Sequence, residues 1–175
     1  MHKLIFVNLQ LFAGSEEKWQ EWLSKANLSD SMVYLDTPSD LEATQLLNMA
    51  AKLSHQPLHQ FLRNFGTFIA PRLIAQFSHY IDKNWDVLDF LEHTEDYIHK
   101  EVREQIRGAN PPILKASRLD KDNVMIRYKS SLRMCPFAEG LVEAAATYYK
   151  QKVLISQPKC IFRGDAECEI LVTRI

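Results

Sequence analysis

Apolar residues recur at three- and four-residue intervals through most of residues 15–107 and alternate with polar ones after Ile113. The first spacing gives one buried helix face and the second one buried strand face. SEEKWQEWLSKANL predicts a helix opened by Ser15, whose side-chain oxygen can satisfy a free backbone N–H. TPSDLEATQLLNMAAKLS predicts another, with Ser39 ahead of Asp40 and Glu42 and with Leu46, Leu47, Ala50 and Leu53 on one stripe. PLHQFLRNFGTFIAPRLIAQF predicts a third, with Pro57 in its first turn and a kink or restart at Pro71. WDVLDFLEHTEDYIHKEVREQIRG predicts a fourth, stopped by Gly108, Pro111 and Pro112. The opening run LIFVNLQLF reads as a first strand or the start of a helix.

Residues 113–175 read as strand, strand, helix, strand, strand. ILKASRLD and NVMIRYKSS alternate and are joined by the turn-forming DKDN. CPFAEGLVEAAATYYKQK is helical, with Pro136 near its start. VLISQPKCIF and AECEILVTRI are joined by RGDA, a tight turn at Gly164 and Asp165. The expected fold is one α+β domain. A helical lobe of about residues 1–112 precedes a mixed lobe of about residues 113–175, with antiparallel sheet and helix and a cofactor pocket between the lobes.

Composition narrows the function classes. With 46% hydrophobic residues in 175, a full core is expected. The net charge of -1 and interleaved signs argue against nucleic acid as a partner. LIFVNLQLF is too short to span a bilayer and lacks a small-residue cleavage site. Without an export signal, the three cysteines point to a reducing cytoplasm. Carboxylates are scattered over solvated helix faces, so no enzyme is expected.

Three groups of residues carry candidate chemistry. His99 lies on the apolar stripe of Leu91, Val102 and Ile106 just before the Gly–Pro break, where a neutral imidazole can hold a metal or rest as a satisfied core histidine. A large flat cofactor fits a cleft walled by Phe65, Ile69, Leu88, Leu91, Phe137 and Leu141, with Ile5 added from the N-terminus. Any one of these is more often plain core, and only convergence on a candidate ligand changes that. In YKSSLR, strand alternation puts Tyr128, Ser130 and Leu132 on one face and Lys129, Ser131 and Arg133 on the other. Two hydroxyls on one face can donate to carboxylates. Cys160 and Cys168 straddle the RGDA turn, and Cys135 begins the neighbouring helix. Three thiolates suit zinc, which wants a fourth ligand, and buried packing thiols are the alternative.

The chain resembles the haem nitric oxide/oxygen-binding (H-NOX) family, of the bacterial stand-alone sensor type. The resemblance runs through MHKLIFVNL, FLRNFGTFIAPRL, FLEHTEDYIHKEVREQIRGANPP, YKSSLRMCPFAEGLVEAAATYYKQ and CIFRGDAEC. It implies haem b with His99 as the proximal iron ligand and Pro112 pressing on the ring. Tyr128 and Ser130 match the first two members of the family's Tyr-x-Ser-x-Arg, which holds the haem propionates. Leu132 stands at the third, and Arg133 comes one residue late, reaching inward only through a bulge. Phe137 stands where oxygen-binding members carry a tyrosine, which implies nitric oxide and carbon monoxide as ligands. Cys135, Cys160 and Cys168 match a zinc site of one bacterial subgroup, whose remaining ligand position falls on Gln157.

The implied function is cytoplasmic nitric oxide sensing. Because no kinase or cyclase module follows within the chain, the output is expected in a separate partner. In bacterial relatives that partner is a histidine kinase or a cyclic-di-GMP enzyme. The alternatives are a haem-free regulator of the same fold, favoured by Leu132 and Gln157, and a thiol or zinc redox sensor.

Overall fold

The computed structural model describes residues 3–31, 39–105, 111–130 and 132–175, with side chains from residue 5 onward. Ile106, Gly108 and Ser131 lie outside the described residues. The helices are α1 (Lys3–Ala13), α2 (Glu16–Lys25), α3 (Asp40–Leu53) and α4 (Leu58–Gln76). They are followed by α5 (Val87–His93), a π-helical segment (Thr94–His99), α6 (Lys100–Gln105) and α7 (Cys135–Tyr148). The strands are β1 (Ile113–Arg118), β2 (Asn123–Lys129), β3 (Val153–Lys159) and β4 (Cys168–Arg174). The opening apolar run is therefore helical. No helix among the described residues is long and apolar enough to cross a membrane.

Local chemistry sets the helix starts. Ser15 Oγ accepts from Lys18 N–H. Ser39 and Glu42 form a reciprocal capping box at α3, satisfying two backbone donors that a helix start leaves open. Pro57 is the cap of α4. That helix runs through Pro71 without a restart.

α1, α2, α3 and α4 bury Phe6, Trp19, Trp22, Phe61 and Phe65 in one core. The antiparallel sheet has the order β1-β2-β4-β3. Its Val124, Ile126, Ile170 and Val172 pack in a second core with Val87 and Leu88 of α5. Helix α7, read from sequence as part of the sheet lobe, serves both cores. Phe137 belongs to the helical core, while Cys135, Val142 and Ala145 belong to the sheet core. Two glycines let α7 meet α4 closely. A Cβ at Gly66 would strike the Phe137 carbonyl oxygen, and one at Gly140 would strike that of Arg63.

Candidate functional site

The chain ahead of His99 is clamped to the sheet. Asp86 caps α5 by accepting from the N–H groups of Leu88 and Asp89. Arg118 of β1 donates to Asp89 at 2.6 Å and to Glu92 at 3.1 Å, and Arg174 of β4 pairs with Asp86. The helix then widens. Lys100 N–H donates to the Glu95 carbonyl, five residues back. Sequence periodicity predicts one continuous α-helix here; the structure has a π segment ending at His99. Such segments insert an extra residue into a helix and gather at functional sites.

His99 is largely buried, its side chain 17% exposed. Its Nδ1 lies 3.1 Å from Glu95 Oε2, and among the described residues Nε2 has no hydrogen-bond partner. The Glu95 carboxylate also accepts from Leu114 N–H at 3.1 Å and pairs with Arg103. Burial alone would push this carboxyl up. The hydrogen bonds from His99, Leu114 and Arg103 outweigh it and hold the pKa down at about 2. Glu95 is the part of this site that the sequence reading missed, although a carboxylate four residues before a candidate histidine ligand is a usable signal.

His99 borders a cavity of about 240 Å³ between the two cores. Pro112, Tyr128, Ser130, Phe137, Leu141 and Ile5 border it as well, so the structure brings these sequence candidates together. Ile69 does not border it. That residue is fully buried in the helical core, and Ala70, Leu73 and Ile74 of the same helix form the wall instead. Both faces of α4 here are apolar, so periodicity could not tell core from cavity. Phe65 and Leu88 are likewise core residues, whereas Leu91 does line the cavity.

Tyr128 is buried. Burial pushes its hydroxyl pKa up, so it stays protonated and able to donate. Ser130 Oγ accepts from Leu132 N–H at 3.2 Å. Strand β2 ends at Lys129, yet Leu132 still faces the cavity. Arg133 does not. Its backbone is left-handed, φ +51°, and its side chain borders a different cavity. The inward turn considered for Arg133 is thus absent. Among the described residues that border the first cavity there is no lysine or arginine, and Asp40 is its one carboxylate.

The three cysteines do not line this cavity but meet behind its Tyr128 wall, where Tyr128 pairs with Cys168 across β2 and β4. Their sulfur atoms all lie within 4.8 Å of one another, with Cys135 and Cys160 at 3.7 Å. All three are buried and unpaired by disulfides. Burial pushes the Cys135 and Cys168 thiols up. The Gln157 side chain lies beside the Cys135 thiol, and its buried Nε2 has no other hydrogen-bond partner among the described residues.

The chain matches the haem-NO-binding family over residues 6–157. No curated protein sequence matches at a significant level. An H-NOX protein from S. oneidensis, solved in the Fe(II)NO ligation state, is 26% identical with a TM-score of 0.88, covering 100% of this chain and 99% of its own. The Shewanella oneidensis H-NOX domain in the Fe(II)CO state is 25% identical with a TM-score of 0.85, again covering 100% and 99%. The unliganded Fe(II) H-NOX protein from K. algicida shares the fold, at 18% identity and a TM-score of 0.85, covering 100% and 97%. With the helical lobe, the sheet lobe and the histidine-bordered cavity between them, these matches show that the chain belongs to the haem-NO-binding family, whose members are gas-sensing modules and not enzymes.

Proposed function

We propose that this chain is a haem-based sensor of nitric oxide that regulates a separate signalling protein in the cytoplasm. The observation that carries the reading is His99. Its imidazole stands at the wall of an apolar cavity, held through Nδ1 by Glu95, with Nε2 unengaged among the described residues. The residues present fit haem b at this point. They offer one nitrogen ligand, apolar walls, and hydroxyls from Tyr128 and Ser130 for carboxylates.

Haem, if bound, would supply a ferrous iron able to take a diatomic gas, and His99 is the residue that would hold that iron. The chain's own residues set the conditions. Glu95 accepts the Nδ1–H, fixing the tautomer that presents Nε2 and raising its basicity. Tyr128 and Ser130 border the cavity with hydroxyls that would donate to the propionates. Pro112 borders the cavity and would pack against the ring of a bound haem. Ile5, Leu73, Ile74, Phe77, Phe137 and Leu141 line the space with groups that cannot donate a hydrogen bond. Oxygen gains most from such a donor, so this lining favours nitric oxide and carbon monoxide. The S. oneidensis relatives were solved with these two ligands. Since Glu95 also holds Leu114 of β1, a change at His99 reaches the sheet through two hydrogen bonds. A shift of one lobe against the other is the signal we assign, and a histidine kinase or cyclic-di-GMP enzyme is its reader.

The three cysteines support a second, structural metal. Three close buried sulfurs suit zinc at three corners, and Gln157, beside the Cys135 thiol, is the candidate for the fourth. We assign labile zinc to this cluster.

The deciding experiment is His99→Gly. Haem-supplemented wild-type protein should show a Soret band, and the variant should lose haem unless imidazole is supplied. Equal haem retention and an unchanged spectrum in the variant would refute the assignment. A colourless wild type would favour the haem-free alternative, which Leu132 and the absence of a lysine or arginine among the described lining residues support.

A further inference from the structure

A second cavity, of about 380 Å³, lies between α3, the start of α4 and the turn before α7. This is the size of an ordinary small-molecule site. Leu47, Leu62, Leu132 and the half-exposed ring of Phe162 wall it, with Arg133 and Asn48 at its border.

Two independent observations point to Arg133, one of four described non-glycine residues with a positive φ. Its φ of +51° is left-handed, a conformation that residues with a Cβ rarely adopt and that gathers at ligand clamps. Its guanidinium also has no partner among the described residues. Each other described arginine has one: Arg63, Arg103, Arg118, Arg127 and Arg174 meet carboxylates. Arg72 meets the Phe68 ring and carbonyl, and Arg163 the Gln157 carbonyl. Arg133 alone among the described arginines has neither ion pair, hydrogen bond nor ring contact for its side chain.

We propose that this cavity binds a small organic monoanion, a carboxylate on an apolar body, gripped by Arg133. The guanidinium fork matches a carboxylate with two parallel hydrogen bonds. No second cation borders the cavity among the described residues, so a single negative charge is matched. The neighbouring polar groups are engaged on their own helix. Thr44 Oγ1 donates to the Asp40 carbonyl at 2.7 Å and Asn48 Nδ2 to the Thr44 carbonyl at 2.8 Å. Leucine and phenylalanine walls reward an alkyl or aromatic body, which a free inorganic anion lacks. Leu132 borders both cavities, so an occupant here presses on a wall of the histidine-bordered one.

Decanoate is a suitable probe, titrated calorimetrically into haem-supplemented protein with decan-1-ol as the uncharged comparator. One decanoate should bind per chain. Arg133→Ala should weaken it about tenfold or more, the loss of a charge-assisted contact, and leave decan-1-ol unchanged. Leu62→Trp, which fills the cavity, should abolish binding, with an unfolding transition recorded to confirm that the variant folds. The absorbance spectrum reports haem separately. In haem-free protein, decanoate held in the first cavity would be insensitive to Arg133→Ala. That insensitivity, or no decanoate binding by the wild type, would overturn the proposal.

Discussion

The Glu95 carboxylate lies 3.1 Å from His99 Nδ1, both on the π-helical segment, and is itself held by Leu114 N–H and Arg103. Glu95 thus acts as a positioning residue for the imidazole. Glu95→Gln keeps the size but removes the charge that fixes the tautomer. Haem should bind roughly 10–100-fold more weakly, the usual cost of losing a partner behind a metal ligand. Haem transfer to an apoglobin measures this, and an unchanged rate would remove Glu95 from the site.

The same carboxylate makes stability depend on pH. Its pKa falls from 4.5 to about 2 in the fold. A lowered carboxylate stabilises the folded state fully above the unfolded value and loses that contribution as pH falls through the folded one. The advantage of wild type over Glu95→Gln should be constant above about pH 5 and shrink toward pH 2. Urea unfolding of both proteins across that window is the measurement. An advantage that grows on acidification would contradict the assigned shift.

Phe137 packs 5.2 Å from the Phe65 ring and faces the cavity. Reduced, haem-loaded wild type should take up nitric oxide and carbon monoxide but give no lasting oxygen spectrum in air. Phe137→Tyr adds a hydroxyl donor at this wall and should slow oxygen dissociation and autoxidation. An air-stable oxygen spectrum in the wild type would refute this reading of Phe137 and point to another donor, such as a lining hydroxyl.

Leu132 faces the cavity, while Arg133 turns to its neighbour. Leu132→Arg should therefore tighten haem by roughly 1.5–3 kcal/mol, one charge-assisted hydrogen bond, or about one to two decades in affinity. Arg133→Ala should leave haem transfer unchanged. The reverse pattern would mean that Arg133 reaches the propionates after all.

Much of this arrangement is legible in the residues. Ser39 and Glu42 announce α3, and the alternation of Val124, Ile126 and Tyr128 announces a half-buried strand. The hairpin spacing of Cys160 and Cys168 anticipates their meeting with Cys135. The π segment is not legible, because Leu91, Ile98 and Val102 keep apolar spacing whether or not an extra residue is inserted. Nor is the exchange of Ile69 for Leu73 and Ile74 at the cavity wall. Both are apolar, and only tertiary packing decides which of them faces a space. The clamps from Arg118 and Arg174 depend on long-range strand placement, which local patterns do not carry.

The cysteine cluster yields the last prediction. With Cys135 and Cys168 pushed up by burial, the thiols stay protonated near neutrality, and zinc must displace those protons to bind. Zinc content should therefore rise steeply with pH. The Gln157 amide is a poor ligand beside an imidazole, so a chelator should remove the metal readily. Gln157→His supplies the missing nitrogen and should slow that removal, while Cys135→Ser should lower zinc retention. Peroxide should release bound zinc in step with thiol loss, since three of its four ligands would be sulfur. Zinc measured alongside thiol titration, before and after oxidation, tests the whole chain of reasoning. Protein purified without chelators that holds no zinc at any pH, and gains none with Gln157→His, would leave Cys135, Cys160 and Cys168 as packing residues of the sheet core.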